Sequence, residues 1–293
     1  MNRTLHEHEI ETLVNYLKEE VGLGKDSLVP NIDAFIESTD YRYEEGEFHD
    51  SFSAASRSLG SGDYLILYNK NQNWSEKFRR FTLAHELGHL TLPSHRAMLN
   101  EQGIHFSTTE FSSDRIVERE ADKFAINFLV PKSAFQTAMA PMGYTNTSIA
   151  SLSDTFNISA YATAHRFVEL AGKCACSLIA CHENGTVKYE IRSDGMKNLV
   201  RGHRSLNSLP INSSTLASEF IRGVHDRVTV QLSLSEWYQD FGGEIEAMES
   251  IIDLGYNQLY LALIEPLSTD VANEDDELQI RLPSEKWNDP YEY

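Results

Sequence analysis

Cysteine is scarce in this chain: of 293 residues only Cys174, Cys176 and Cys181 carry a thiol, an odd set crowded into one short stretch. Too few and too close for a disulfide framework, they fit a reducing compartment. Long apolar runs are missing too. None approaches the roughly 20 residues that span a bilayer, which excludes a membrane helix as an organising feature. The opening Met1-Asn-Arg-Thr-Leu-His-Glu-His8 is polar, so no secretory signal is expected and the expected location is the cytoplasm, with no membrane partner. Positive charge is in deficit, with 25 Lys and Arg against 44 Asp and Glu, a net charge of -19 and a pI near 4.9. That balance speaks against general duplex-DNA binding and favours attraction to basic partners, a basic protein substrate among them. The length allows two domains, or one large domain with an appendage, each with its own core.

What is present is concentrated in Phe81-Thr-Leu-Ala-His85-Glu86-Leu-Gly-His89-Leu90. On a helix, His85 and His89 lie one turn apart on one face, so both ring nitrogens can reach a single ion, and Glu86 sits beside them with a free carboxylate. A catalytic zinc site takes three protein ligands and keeps one position for water, so a third ligand is required. The segment from Ser113 to Leu129 supplies candidates. Val117, Ala121, Phe124, Ala125, Phe128 and Leu129 give it an apolar helical face ended by Val130-Pro131, and Glu118 and Asp122 lie one turn apart. Glu118 is favoured as the third ligand to one zinc ion, with Asp122 accepting the second ring proton of a ligating histidine and fixing its tautomer. Glu120 is the rival ligand, but it points roughly 200° around the helix from Glu118, so both cannot coordinate. With water activated at such a site, Glu86 is expected to take its proton during attack on a peptide carbonyl and to deliver one to the leaving amine. Tyr64, Tyr68, His95 and His105 are candidates for stabilising the oxyanion, although each is more simply structural.

Around these helices the pattern predicts a helix over Glu9 to Val21, a short one near Asn31 to Glu37, and irregular chain or short strands from Ser38 to Gly62. Asp63 to Tyr68 reads as a strand just before the metal helix. Its residues Leu65, Ile66, Leu67 and Tyr68 are a candidate edge for pairing with an extended substrate, with an interior strand as the alternative. Asn73 or Ser75 caps the metal helix. From Leu90 to Ser113 a loop with little regular structure is expected.

The combination Phe78-Arg-Arg-Phe-Thr-Leu-Ala-His85-Glu-Leu-Gly-His89-Leu, then Glu118-Arg-Glu-Ala-Asp-Lys-Phe-Ala125 and Phe128-Leu-Val-Pro131, resembles the ImmA/IrrE family of metallopeptidases over about Tyr64 to Leu170. The resemblance implies a gluzincin-type peptidase that cleaves a partner helix-turn-helix repressor and so derepresses stress, prophage or defence genes. It implies His85 and His89 as zinc ligands, Glu86 as the catalytic residue and Glu118 as the third ligand. Where the family often has a leucine-histidine pair soon after the second ligand, this chain reads Leu92-Pro-Ser-His95, which leaves the role of His95 open. Ser148 to Phe156 and Ser159 to Leu170 read as two helices joined at Asn157-Ile158, which also matches the family. A DNA-reading helix-turn-helix would have only His165 and Arg166 to offer on its second helix, so a packing subdomain is the better account.

Beyond Cys174 the pattern turns to short strands: Cys174 to His182 and Thr186 to Arg192 around Glu183-Asn184-Gly185, then Val228 to Leu234 and Tyr256 to Ile264. Helices are expected near Ser214 to Arg222 and Ile245 to Leu254. The cysteines with His182 could form a second metal or redox site, but buried strand residues are the simpler account. Lys188, Arg192, Lys197, Arg201 and Arg204, with His203, form a local basic stretch, a candidate patch for sensing an anion, a small molecule or single-stranded nucleic acid as activator. The alternative is a solvated charged face. The expected class is α+β: a mainly helical zincin-like peptidase domain with a small sheet at 1–133, a helix-turn-helix-like subdomain at 134–172, an α+β domain at 173–267, and an acidic tail at 268–293 containing Glu274-Asp-Asp-Glu277. Family resemblance alone suggests a GAF-like sensor for the third. The leading function is a regulatory zinc endopeptidase acting on a repressor. The alternatives are a transcription regulator with a structural zinc and a general cytoplasmic zinc peptidase.

Overall fold

The structure, a computed structural model, describes residues 5–48, 52–71, 75–107, 116–239, 241–254 and 259–267. The expected acidic tail lies outside the described residues. The class is mixed α+β, with ten α-helices and two sheets among the described residues. The chain divides into two compact units, one of Met1–Thr137 with Ile149–Leu170, the other of Ala138–Ser148 with Ala171–Tyr293.

In the first unit, helices α1 (Glu7–Glu20) and α2 (Ile32–Glu37) precede a four-stranded sheet. Its strands are β1 (Arg42–Gly46), β2 (Ala54–Gly60), β3 (Asp63–Asn69) and β4 (Ile104–Ser107), in the order β1-β3-β2-β4. Helix α3 (Glu76–Thr91) is capped by Ser75, whose hydroxyl accepts from the Phe78 amide, satisfying a helix-terminal donor that has no partner within the helix. From Thr82 to Leu90 every residue of α3 is buried, His85, Glu86 and His89 among them. It packs against α5 (Ile116–Leu129), where Gly88 gives the close approach: a Cβ there would stand 3.1 Å from the Phe124 Cβ. Burial of Ala121, Phe124, Ala125 and Phe128 follows the i, i+3, i+4, i+7 stripe read from the sequence.

Three expectations are corrected. Leu65, Ile66, Leu67 and Tyr68 do not form an edge: β3 pairs with β1 in parallel and with β2 antiparallel, so its backbone is taken on both sides. The segment after Leu90 is not a loop. Leu92 leaves α3 in an extended conformation and Pro93 opens α4 (Pro93–Gln102), since proline's fixed φ and missing N–H suit a first helical position. Gly103, at φ 83°, turns the chain into β4. In the second unit, Glu246–Asp253 is strand β8 and not a helix. Ile245, Met248 and Ile252 mimic helical spacing, yet the buried alternation of Ala247, Glu249 and Ile251 is that of a strand.

The second unit holds a five-stranded antiparallel sheet, β6-β5-β9-β8-β7, made of β5 (Ser177–His182), β6 (Val187–Arg192), β7 (Thr229–Ser233), β8 and β9 (Leu259–Pro266). The expected hairpin joins β5 to β6 through Gly185 at φ 81°. Ile179, Ala247, Ile251, Ala262 and Ile264 share a core with Met196 of α9 (Asp194–Leu199) and with Leu216, Ala217 and Phe220 of α10 (Leu216–Ile221).

Candidate metal centre

Helix α3 places His85 and His89 one turn apart with their Nε2 atoms 3.0 Å from each other. From α5, Glu118 brings Oε2 to 3.4 Å from His85 Nε2 and Oε1 to 3.9 Å from His89 Nε2. One ligand atom from each of the three lies within 4.8 Å of the others, and among the described residues no other group of this kind occurs. Two ligands about 2.0–2.1 Å from a tetrahedral zinc stand roughly 3.3 Å apart, so the spacing fits one ion, as does the donor set of two imidazoles and a carboxylate.

Electrostatics point the same way. Burial opposes charge on His85, but the Asp122 and Glu118 carboxylates against it raise its pKa to about 10. That shift favours a proton on the ring in the absence of metal, which a metal cation bound to these residues would displace. His89 is pushed the other way, by burial and then by the imidazoles of His85, His105 and His95. Glu118 is held far below the usual carboxylate range: burial works against its charge, but His105 and His85 hold it ionised. Asp122 Oδ1 lies 2.8 Å from His85 Nδ1, so the second ring proton has an acceptor and Nε2 is left to coordinate. Glu120 points away from this set. Its Oε2 is 2.9 Å from His95 Nε2 and its Oε1 accepts from the Leu5 amide.

Glu86 is fully buried and its affinity for a proton is raised by that burial. Ser56 of β2 donates to its Oε2 at 2.6 Å and the nearby Ser107 hydroxyl also favours its ionised form, while Oε1 has no partner at hydrogen-bond geometry among the described residues. A buried carboxylate oxygen without a partner is costly, and one beside a metal site is placed to receive a proton. Ser56 lies in a polar stretch whose sequence carries no motif, and only the register of β2 brings it here.

Of the four groups considered for an oxyanion, two touch the ligand set, His105 at Glu118 and His95 at His89. His105, on β4, brings Nε2 to 2.7 Å from Glu118 Oε1, its ring centroid 4.5 Å from that of His89. His95 packs behind His89. Tyr64 donates to Asn100 and carries Arg96 on its ring, and Tyr68 carries Arg79. His105 was among the sequence candidates, but the four-residue strand that carries it is too short to show periodicity, so its place beside the site was not legible.

Elsewhere the structure reassigns candidates. Arg192 is not part of an exposed patch: it grips Glu190 with two hydrogen bonds, donates to the carbonyls of His203 and Arg204, and lies over Tyr238. Lys197 pairs with Asp194, while Lys188, Arg201 and Arg204 are exposed. Cys174 is exposed; Cys176 and Cys181 are buried, and burial pushes both thiols up, away from ligation or redox chemistry. The two helices after α6 (Lys132–Met139) are α7 (Asn146–Phe156) and α8 (Ala160–Leu170). On α8, Arg166 is fully buried and donates to Asn127, to the Val130 carbonyl and to Glu169, so it is not presented to DNA.

Two helices that converge a His-His-carboxylate set beside a buried glutamate form a centre of the metallopeptidase type. Residues 45–168 match the model of the Peptidase_M78 family, described as the IrrE N-terminal-like domain, and that part of the chain belongs to this family. A Mycobacterium tuberculosis transcriptional regulator has a similar structure, with a TM-score of 0.53 and 12% identity over 88% of this chain and 76% of that one. At such identity the likeness establishes the fold. No curated protein matches the chain. Among the described residues no helix is long and apolar enough to cross a membrane.

Proposed function

We propose that the protein is a zinc-dependent regulatory endopeptidase that cleaves a helix-turn-helix repressor, with His85, His89 and Glu118 holding one zinc ion and Glu86 as the catalytic residue. The observation that carries this is Glu86: a buried carboxylate with one oxygen fixed by Ser56 and the other without a partner, adjacent to the ligand set. Held by these three residues, zinc would supply Lewis-acid polarisation of the scissile carbonyl and lower the pKa of the attacking water. Glu86 takes the proton of the attacking water on Oε1 and returns it to the leaving amine, while Asp122 holds His85 in the tautomer that coordinates.

The substrate-pairing edge moves from β3 to β4. The Ser58 amide donates to the Gly103 carbonyl, and Ser56 stands opposite His105. In an antiparallel ladder this alternation turns the backbone groups of residues 103, 105 and 107 towards β2 and those of Ile104 and Phe106 away from it. Among the described residues β4 pairs with β2 alone, so Ile104 and Phe106 are the places for an extended substrate backbone. The net charge of -19 favours a basic partner, and the inward-turned Arg166 disfavours direct DNA reading.

The test is cleavage of purified helix-turn-helix repressors, beginning with one encoded beside this chain. Glu86→Gln is expected to keep its zinc and to lose at least about 10²–10⁴-fold in cleavage rate. Undiminished cleavage by that variant, or relief of repression with the repressor intact, overturns the assignment.

A further inference from the structure

Behind His89 lies a second set of polar groups that zinc coordination itself does not use. His95 enters from the first turn of α4, its Nδ1 3.2 Å from His89 Nδ1 and its Nε2 2.9 Å from Glu120 Oε2. Glu120 completes its own contacts with the Leu5 amide at 2.6 Å on Oε1. All three side chains are buried, His89 and His95 at 0% and 1% exposure and Glu120 at 4%. Such groups persist in an interior only when their hydrogen bonds are complete.

One assignment of protons satisfies every contact. Because His89 Nε2 faces His85 and Glu118, its proton sits on Nδ1 and is donated to His95 Nδ1. His95 then carries its proton on Nε2 and donates it to the Glu120 carboxylate. We propose that His95 and Glu120 are positioning residues for the metal: a buried imidazole-carboxylate relay that fixes the tautomer and ring orientation of His89, doing through two residues what Asp122 does for His85 directly. The two ligating histidines are thus held from opposite faces of α5. Glu118 and Asp122 lie on the side facing the ion, and Glu120, pointing roughly 200° away from Glu118, returns to the site only through His95. The main chain at Leu5 anchors the far end of the relay.

This inference rests on the site holding zinc, and the experiment separates the two. Zinc affinity is measured by chelator competition on the full chain, wild type and His95→Asn, His95→Leu and Glu120→Gln, with unfolding of each metal-free protein as the control for folding. An asparagine carbonyl can stand where His95 Nδ1 stands and accept from His89, whereas leucine fills the space and accepts nothing. The relay therefore ranks zinc affinity as wild type, then His95→Asn, then His95→Leu, the last weakened about 10–100-fold; simple packing reverses the last two. Glu120→Gln, which keeps the shape and removes the charge, is expected to weaken zinc binding at least about threefold, and it decides the matter should His95→Leu fail to fold. With cobalt in place of zinc, the visible spectrum of His95→Leu or Glu120→Gln is expected to shift from that of wild type. Leucine binding as tightly as wild type or more tightly than asparagine, or an unchanged affinity in Glu120→Gln, overturns the relay. A wild-type protein that binds no zinc overturns the metal site itself.

Discussion

Each ligand of the centre is held by a neighbour whose removal has a distinct signature. Asp122 is the simplest case, since its carboxylate touches His85 Nδ1 at 2.8 Å and is not one of the three candidate ligands. Asp122→Ala is expected to leave the fold intact and weaken zinc binding about 10–100-fold, the usual cost of losing the partner behind a ligating histidine. Chelator competition measures this, and an affinity within twofold of wild type would show that His85 needs no such support. Glu118 and Glu120 make the complementary contrast. They are the same residue type two positions apart on one helix, yet one faces two imidazole nitrogens and the other a histidine that is no ligand. Spacing from Asp122 favours Glu118, and it is Glu118 that stands beside both histidines. What spacing could not show was the occupation of Glu120, because its partners lie 25 and 115 positions away in sequence.

At the scale of elements, the site depends on how closely α3 and α5 approach. Gly88 meets Phe124: a Cβ at this position would stand 3.1–3.2 Å from three of its side-chain atoms. Gly88→Ala would gain about 1 kcal/mol in helix propensity but must push the helices apart, at a cost of about 1–3 kcal/mol. With three contacts tight at once, the cost is expected to win. The variant should unfold at lower denaturant and bind zinc less tightly, because His89 and Glu118 ride on the two displaced helices; equal stability with unchanged zinc affinity would refute this. The two helices were legible in sequence because each is long, capped or proline-stopped, and striped at helical spacing. The elements misread were β4 and β8, and what the sequence left open was the place of β3. β4 has four residues and no room for a period, and β8 holds apolar residues at helical offsets as well as at alternate ones, while β3, read correctly as a strand, carries nothing in its own residues to show that β1 returns beside it in parallel. With β3 paired on both sides, its residues offer no free edge, and His105, already a candidate from the sequence, had no strand to place it until β4 was found.

For the molecule as a whole, the two compact units can be told apart by perturbations that act on one each. The candidate zinc site lies in the first unit, so added zinc is expected to stabilise that unit by RT ln(1 + [Zn]/Kd) and raise its unfolding temperature, leaving the other transition in place. The second unit carries its own marker in Glu249 of β8, which is fully buried and accepts from the Leu216 and Ala217 amides. Burial outweighs those two donors and raises its pKa to about 7, against an ordinary value of 4.5. Between those values the folded unit binds more protons than the unfolded chain, so stability must fall as pH rises from about 4.5 to about 7 and level off above, a loss on the order of 3 kcal/mol. Glu249→Gln removes the titration and should flatten that part of the slope in the second unit's transition, with the zinc-responsive transition unaffected. Calorimetry at pH 5, 6, 7 and 8 with and without zinc checks both halves at once. A Glu249→Gln protein with the wild-type pH slope would mean that the carboxylate is ionised in the fold throughout, its two backbone donors outweighing burial.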